Sequence, residues 1–377
     1  MKKIGITGQS GFVGNHLYNT LNVSEGFELI TFDKNYFEQE KKLANFVSKC
    51  DVIVHLAAMN RHEDANVIYN TNVSLVHKLI NACIETDSKP HILFSSSLQE
   101  SKDNLYGKSK KEGKLAFQNW AEKYHSKFTS INIPNVFGPF GKPNYNSVVA
   151  TFCHKIARDE KPKIINDDEV GLVYVNKLVS KIINAIKGEE TTEKLGDYSD
   201  ELVVNPQYFK KVSEVLSTLT RFKTDYMENG IFPNLDKSFE KDLFNTFRCY
   251  VPTNHYPVKF TKHTDARGSF VEIARTQTSG QFSFSTTVPG ITRGNHYHTR
   301  KAERFAVIKG KALIQLRKIG TDEVINYELD GDEPAYVDMP IWYTHNIKNI
   351  GDTELITLFW INEPFDPNNA DTYFENV

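Results

Sequence analysis

Two residue types in the first third of the sequence have the spacing to protonate a carbonyl under reduction. Tyr106 and Lys110, in Tyr106-Gly107-Lys108-Ser109-Lys110, stand four apart and share one face of a helix. An ammonium beside a phenol stabilises the tyrosinate and lowers the tyrosine pKa towards neutrality, and the charge of an oxidised nicotinamide acts in the same direction. Tyr106 can then give its proton to a carbonyl that is receiving hydride. A hydroxyl of the run Ser95-Ser96-Ser97, at the close of a strand, would hold and polarise that carbonyl oxygen. The competing reading is that the serines cap the strand end and the Tyr–Lys pair is a surface pair.

A second constellation lies in the last quarter of the sequence. His296 and His298 are two apart, so on a strand both imidazoles point to one side. Glu303 returns on the following strand, and His345 supplies a third imidazole. Three histidines and a carboxylate with open coordination positions suit zinc, manganese, iron or nickel; imidazole being a common zinc ligand, Zn2+ is the expected ion. The alternative is a set of polar residues lining an empty barrel.

Positioning these groups requires two kinds of element. Short apolar runs at Lys2–Thr7, Glu28–Phe32, Asp51–Leu56, His91–Ser95 and Phe128–Ile133 alternate with helical patterns at Gly14–Leu21, Asn72–Glu85 and Lys108–Tyr124. That alternation predicts a doubly wound α/β, Rossmann-like fold with a parallel sheet. Residues 172–247 read as helical stretches among polar loops, with a helix or arm in Phe232–Phe244. Beyond Cys249 the pattern changes to short β-branched and aromatic runs separated by Gly, Asp and Asn turns, as at Phe282–Val288, Ala312–Leu316 and Leu355–Trp360. Such runs predict an all-β sandwich or barrel. The expected domains are 1–248 and 249–377.

The segment Thr7-Gly8-Gln9-Ser10-Gly11-Phe12-Val13-Gly14 falls between the first strand and the first helix. Its glycines permit a tight turn and a close backbone approach to a pyrophosphate, which the helix N-terminus attracts. Asp33 ends the second strand, where a carboxylate accepts hydrogen bonds from an adenine ribose and favours NAD. Lys34, next to it, would instead meet the extra phosphate of NADP. A solvated turn is the third reading of this pair.

The glycine spacing resembles the TGxxGxxG of extended short-chain dehydrogenase/reductases. The resemblance extends to Asp51-Val52-Ile53-Val54-His55-Leu56-Ala57-Ala58, whose Leu56, Ala57 and Ala58 would line the cofactor, and to Asn72 as a structural asparagine. It selects Ser97, the third serine of its run, as the catalytic one. Pro134-Asn135-Val136-Phe137-Gly138-Pro139 is similar to the segment lining the sugar-nucleotide pocket of such enzymes, although the arginine usual before it is missing and Asn176 stands where many members keep Asp. Gly290-(x5)-His296-x-His298-(x4)-Glu303-(x6)-Gly310 matches the first cupin motif, and Pro340–Asn349 the second, with Trp342 in place of its glycine. Asp265-Ala266-Arg267-Gly268-Ser269-Phe270 resembles the opening of the cupin dTDP-4-keto-6-deoxyhexose epimerases, in which the arginine meets a nucleotide diphosphate; a plain β-turn competes with that reading.

Taken as a whole, the chain resembles the bifunctional capsular polysaccharide enzymes that fuse an extended short-chain reductase to a jelly-roll cupin. The resemblance implies that the cupin epimerises carbon 3 of a UDP-activated 4-keto-6-deoxy amino sugar and that the reductase then reduces carbon 4 with NADPH. A ketone at carbon 4 acidifies the carbon 3 proton, so a base can invert that carbon through an enolate before reduction removes the ketone. The same resemblance implies Zn2+ in the cupin, a homodimer, and substrate contacts from Asn135, Lys142 and Arg267. His298, Tyr343 and Asp338 stand as candidates for the base. Two other readings compete: a reductase whose cupin only binds or dimerises, and a redox-sensing regulator, against which the Ser97-Tyr106-Lys110 set argues.

Composition narrows the partners. The 377 residues carry 45 Lys+Arg against 47 Asp+Glu, a formal net charge of −2, which gives no basic face for nucleic acid. Hydrophobic residues at 40% and charged ones at 24% are those of a globular chain, not a disordered one. The apolar run after Lys2-Lys3 breaks at Gly8, so no export leader is expected, and no run approaches the roughly 18 apolar residues of a membrane helix. Cys50, Cys83, Cys153 and Cys249 form no CxxC pair, which fits a reducing cytoplasm.

Overall fold

Alternating strands and amphipathic helices produce the expected parallel sheet in a computed structural model that describes residues 1–261, 263–265, 268–270, 273–276, 280–363 and 366–377. The chain forms two compact units, 1–148 with 167–212, and 149–166 with 213–377. In the first, β1 (Lys2–Thr7), α1 (Phe12–Asn22), β2 (Phe27–Ile30), α2 (Glu40–Val47), β3 (Val52–His55), α3 (Ala65–Glu85), β4 (His91–Ser97), α4 (Leu105–Tyr124) and β5 (Phe128–Ile133) follow one another. A short β6 (Asn135–Phe137) precedes α5 (Val148–Ile156), which belongs to the second unit from its second residue. The chain returns as β7 (Glu169–Tyr174), α6 (Val175–Lys187), β8 (Glu193–Lys194), β9 (Ser199–Val203) and β10 (Tyr208–Lys211).

Among the described residues the main sheet has seven strands in the order β2-β1-β3-β4-β5-β9-β8, parallel except for β8. Both faces are covered, which is why β3 is apolar or buried throughout rather than alternating. Ile4, Ile6 and Val54 pack with Leu17 of α1 and Val179 and Ile182 of α6. Ile53 and Phe94 face the other side, among Phe46, Leu79, Phe117 and Trp120. The strand order reverses at β1, so the crevice beyond the ends of β1 and β3 is the ligand position of such sheets.

In the second unit, residues 213–248 resolve into the remainder of α7 (Val212–Phe222), β11 (Ile231–Phe232) and α8 (Ser238–Arg248), so the expected helix near Phe232–Phe244 begins at Ser238. Next come β12 (Val258–Lys259), β13 (His263–Asp265), β14 (Gly268–Phe270), β15 (Arg275–Thr276), β16 (Gln281–Thr287), β17 (Thr292–Tyr297), β18 (Glu303–Lys309), β19 (Lys311–Lys318), β20 (Val324–Asp330), β21 (Ala335–Met339), β22 (Tyr343–Asn349), β23 (Leu355–Ile361) and β24 (Tyr373–Phe374). Among the described residues ten of them form two five-stranded antiparallel sheets, β12-β21-β18-β23-β16 and β20-β19-β22-β17-β24, while β13 pairs with β14 and β15 with β11. Phe305, Val307, Ile314, Leu316, Val337 and Ile347 build the core between them. The strands beyond Cys249 thus form the expected all-β cupin-like jelly roll, and the helices of this unit precede them in the chain.

Gly14 lets α1 begin hard against the preceding turn, for a Cβ there would lie 2.2 Å from the carbonyl oxygen of Gly8. Gly14→Ala is expected to destabilise the first unit by about 1–3 kcal/mol through overpacking, read as a lower urea midpoint; an unchanged midpoint would contradict this packing.

Candidate functional site

The glycine loop has the geometry of an anion cradle. Gly8 adopts φ +77°, and a Cβ on it would come within 2.8 Å of the Ala57 nitrogen. Gly11 caps α1 without a side-chain acceptor, leaving first-turn N–H groups of the helix available to a diphosphate. Phe12 and Val13 form that first turn. Gln9, which sequence reasoning passed over, ties the loop to the segment after β2 by donating from Nε2 to the Phe32 carbonyl at 2.9 Å.

Leu56, Ala57 and Ala58 lead out of β3, with the Leu56 N–H on the Thr7 carbonyl at 3.1 Å. Asn72 is buried and accepts from the Met59 N–H at 2.7 Å, while its amide donates to the Met59 carbonyl and to Ser109 Oγ at 3.0 and 3.1 Å. It therefore pins the loop after β3 to the helix that carries Tyr106. β2 closes at Ile30, earlier than expected, so Asp33 stands beyond the strand. It is exposed and caps a 3-10 turn over Lys34–Glu38, its Oδ1 accepting from the Asn35 N–H at 2.8 Å.

Ser97, Tyr106 and Lys110 are set by the end of β4 and the start of α4. Asn104 caps α4 by accepting from the Gly107 N–H at 2.7 Å. Gly107 is required between Tyr106 and Lys110, since a Cβ would meet the Gln99 carbonyl oxygen at 2.0 Å. Ser97 Oγ accepts from the Gln99 N–H at 3.2 Å, which leaves its own O–H to donate. Lys110 is buried, donates to the Ser95 carbonyl at 2.8 Å, and its Nζ lies 5.8 Å from the centre of the Tyr106 ring.

Burial dominates the electrostatics of the chain without its nucleotide. With Tyr145 adding to it, burial pushes the Tyr106 phenol up to about 12. Burial also lowers Lys110 to about 8, against the opposing pull of the Glu100 carboxylate. Desolvation of both groups outweighs their mutual effect, so the chain alone keeps Tyr106 protonated.

Three charged residues here were missed. Ser96 Oγ donates to Glu100, and Lys114, one turn beyond Lys110, reaches Glu201 at 2.5 Å and Glu100 at 3.7 Å. Isolated charges in sequence usually read as solvated, and nothing local shows that β4, β9 and α4 gather these. Tyr145 was also missed: its hydroxyl accepts from the Asn60 N–H at 3.3 Å, and Arg61 donates to the carbonyls of Asn144 and Tyr145 at 2.8 and 2.9 Å. The Lys142 ammonium lies 5.3 Å from the Tyr145 ring centre, and Asn135 donates to the Gly171 carbonyl at 3.3 Å. Arg267 lies outside the described residues.

In the second unit, His296, His298, Glu303 and His345 come together with one potential ligand atom each, all within 4.8 Å of one another. A bulge decides this. The register of β17 on β22 shifts between Gly294 and His296, leaving Asn295 extra at φ +58° and setting His296 directly opposite His345. Glu303 comes from the facing sheet. Its Oε2 approaches Nε2 of His298 and His345 at 3.0 and 3.2 Å, yet all three atoms are buried without a hydrogen-bond partner. The Nδ1 atoms of His298 and His345 bond to the carbonyls of Asp371 and Tyr343, the latter at 3.2 Å. A carbonyl only accepts, so Nδ1 carries the proton and each Nε2 lone pair faces the cluster, the arrangement of metal-ligating histidines. Burial and the neighbouring imidazoles lower His296 to about 4, which keeps it neutral. Although burial opposes it, the Glu303 carboxylate raises His298. These residues fit a divalent metal.

Trp342, in the glycine position of the second motif, adopts φ +60° and stacks on Tyr297 at 5.5 Å, while its backbone N–H donates to the His298 carbonyl at 2.8 Å. Asp338, expected near the cavity, belongs elsewhere. It pairs in register with Arg304, which alternates with the inward Glu303 and Phe305, so both lie on the opposite face of their sheet. There Arg304 grips Asp338 at 2.8 and 3.0 Å, and Tyr226 donates to the same carboxylate. Tyr343 packs against the inter-sheet core, and burial raises its phenol.

A glycine-loop nucleotide fold bearing a Ser/Tyr/Lys set defines a pyridine-nucleotide-dependent class, and the chain belongs to the NAD dependent epimerase/dehydratase family, matched over residues 4–198. Residues 263–373 match the polysaccharide biosynthesis C-terminal domain. Along its length the chain is 34% identical, over 372 residues and 98% of both proteins, to the UDP-2-acetamido-2,6-beta-L-arabino-hexul-4-ose reductase of Pseudomonas aeruginosa strain PA103. The crystal structure of the capsular polysaccharide assembling protein CapF from Staphylococcus aureus is similar over 100% of both chains, with 37% identity and a TM-score of 0.62. RMD from Pseudomonas aeruginosa, solved with NADPH, shares the fold at 18% identity and a TM-score of 0.51, over 59% of this chain and 84% of its own. Among the described residues no helix is long and apolar enough to cross a membrane.

Because Lys110 titrates near 8, reduction is expected to weaken as pH rises through that value and the ammonium is lost. Glu100→Gln removes a group that raises Lys110, so the descending limb should move to lower pH; a coincident profile for both proteins would contradict the assignment.

Proposed function

We propose that this protein is a bifunctional UDP-sugar enzyme of capsule or O-antigen precursor synthesis. The cupin domain, residues 249–377, epimerises carbon 3 of a UDP-2-acetamido-2,6-dideoxy-4-hexulose. The reductase domain, residues 1–248, reduces its 4-keto group to UDP-2-acetamido-2,6-dideoxy-β-L-talose. The observation that carries this reading is likeness to a UDP-4-keto-sugar reductase across 98% of both chains, joined to two separate sets of chemically apt residues.

In the reductase, NADPH when bound supplies the hydride. Ser97 Oγ hydrogen-bonds the carbon 4 carbonyl, and Tyr106 gives its phenolic proton to that oxygen as it becomes an alcohol. Lys110, anchored on the Ser95 carbonyl, favours the tyrosinate left behind, which solvent reprotonates. Gly8, Gly11 and Gly14 cradle the diphosphate, and Asp33 and Lys34 stand by the adenosine ribose. Asn135, Lys142 and Arg267 contact substrate.

In the cupin, His296, His298, Glu303 and His345 hold Zn2+, which when bound polarises the ketone beside the carbon that inverts. His298 has both ring nitrogens engaged in this arrangement, and Asp338 lies on the other face of its sheet, so neither serves as the base. A homodimer is what the resemblance to the capsular enzymes implies, and the four cysteines without a CxxC pair suit a reducing cytoplasm.

The test is incubation with the 4-keto-6-deoxy UDP-sugar in deuterium oxide without NADPH, following carbon 3 by NMR. Deuterium incorporation or inversion is expected. No exchange, followed by reduction once NADPH is added, would leave a simple reductase. His296→Ala should lose both bound metal and exchange, while Tyr106→Phe should cut reduction by about 10²–10⁴-fold and leave exchange intact.

A further inference from the structure

The metal reading above leaves unexplained a buried carboxylate far from the cupin motifs. Asp371 is 5% exposed and sits at φ +44°, a left-handed conformation that asparagine and aspartate tolerate better than most residues. Its Oδ1 accepts from the Thr299 N–H at 3.1 Å and the Thr299 hydroxyl at 2.6 Å; its Oδ2 accepts from the N–H groups of Arg300 and Lys301 at 3.0 and 3.1 Å. Four donors thus use the four acceptor positions of one carboxylate. The backbone carbonyl of the same residue takes the Nδ1 proton of His298.

The gripped turn, Thr299–Lys301, connects His298 to Glu303, two members of the cluster. The rest of the tail continues the hold. Lys301 Nζ donates to the Ala370 carbonyl, and β24 pairs with β17 at His296↔Phe374 and Tyr297↔Tyr373. The Glu375 N–H bonds the carbonyl of Asn295, the bulged residue, at 2.9 Å.

We propose that Asp371 is a positioning residue for the metal site, fixing the tautomer and aim of His298 through its carbonyl and the His298-to-Glu303 spacing through its carboxylate. The inference rests on the metal reading. It differs from simple turn capping because one residue holds both a ligand ring and the linker between two ligands. Groups that orient a metal-bound histidine typically change metal affinity by about 10–100-fold when removed.

The experiment compares Zn2+ affinity by chelator competition and the visible spectrum of the Co2+-loaded protein. Asp371→Ala is expected to bind Zn2+ about 10–100-fold more weakly and to shift the Co2+ bands. Asp371→Asn keeps the oxygen that serves Thr299 and should fall between; it also carries the test if Asp371→Ala does not fold. Glu375→Gln, which perturbs only the tail's contact with Arg317, should bind as the unaltered protein does. Unchanged affinity and spectrum in both Asp371 variants would overturn the inference and leave the metal reading standing, as would an equal loss in Glu375→Gln. An unaltered protein that takes up no metal would overturn both.

Discussion

Polar side chains at both sites are buried where water cannot solvate them, and their direction is fixed by backbone carbonyls. Lys110 is held by Ser95, His345 by Tyr343 and His298 by Asp371. A carbonyl offers only acceptance, so each of these contacts fixes where a proton resides as well as where the side chain points. The carbonyls in turn belong to strand ends and turns whose places are set by sheet register. Burial thus makes these groups depend on the sheets more than on one another.

The first unit illustrates how such a site is assembled. β4 delivers the serines, Gly107 lets α4 approach the turn behind them, and Asn72 joins α4 to the loop after β3. Behind this face the Glu100–Lys114–Glu201 group keeps charge compensated around Lys110. Burial alone would make a buried lysine reluctant to carry charge, and the nearby carboxylate offsets part of that cost. The second unit uses opposite faces of one sheet for different purposes: Glu303 turns inward to the imidazoles, while Arg304 turns outward to Asp338 and Tyr226.

Much of this was legible in the sequence. The five main strands of the first unit, the glycine loop, the helical placement of Tyr106 and Lys110, and the strand that carries His296 all follow from local periodicity and spacing, although His298 falls one residue past the end of that strand. The helices α2, α5 and α6 were not resolved by the same reasoning, because their apolar faces gain meaning only against the sheet or segments they cover. Likewise Tyr145, Glu100 and Asp371 carry no local signature, since each acts on a residue far away in the chain.

The sequence by itself determined which side chains were available and which near neighbours share a face, because helix and strand periods are local properties. Tertiary structure decided strand parity and long-range partnership. One extra residue at Asn295 set His296 against His345, and the same alternation took Asp338 away from the cavity. It also decided how strongly burial opposes the lysine's pull on Tyr106, since desolvation depends on everything packed around the phenol and not on the lysine four residues away. Parity and burial are sums over distant chain segments, and no local window contains them.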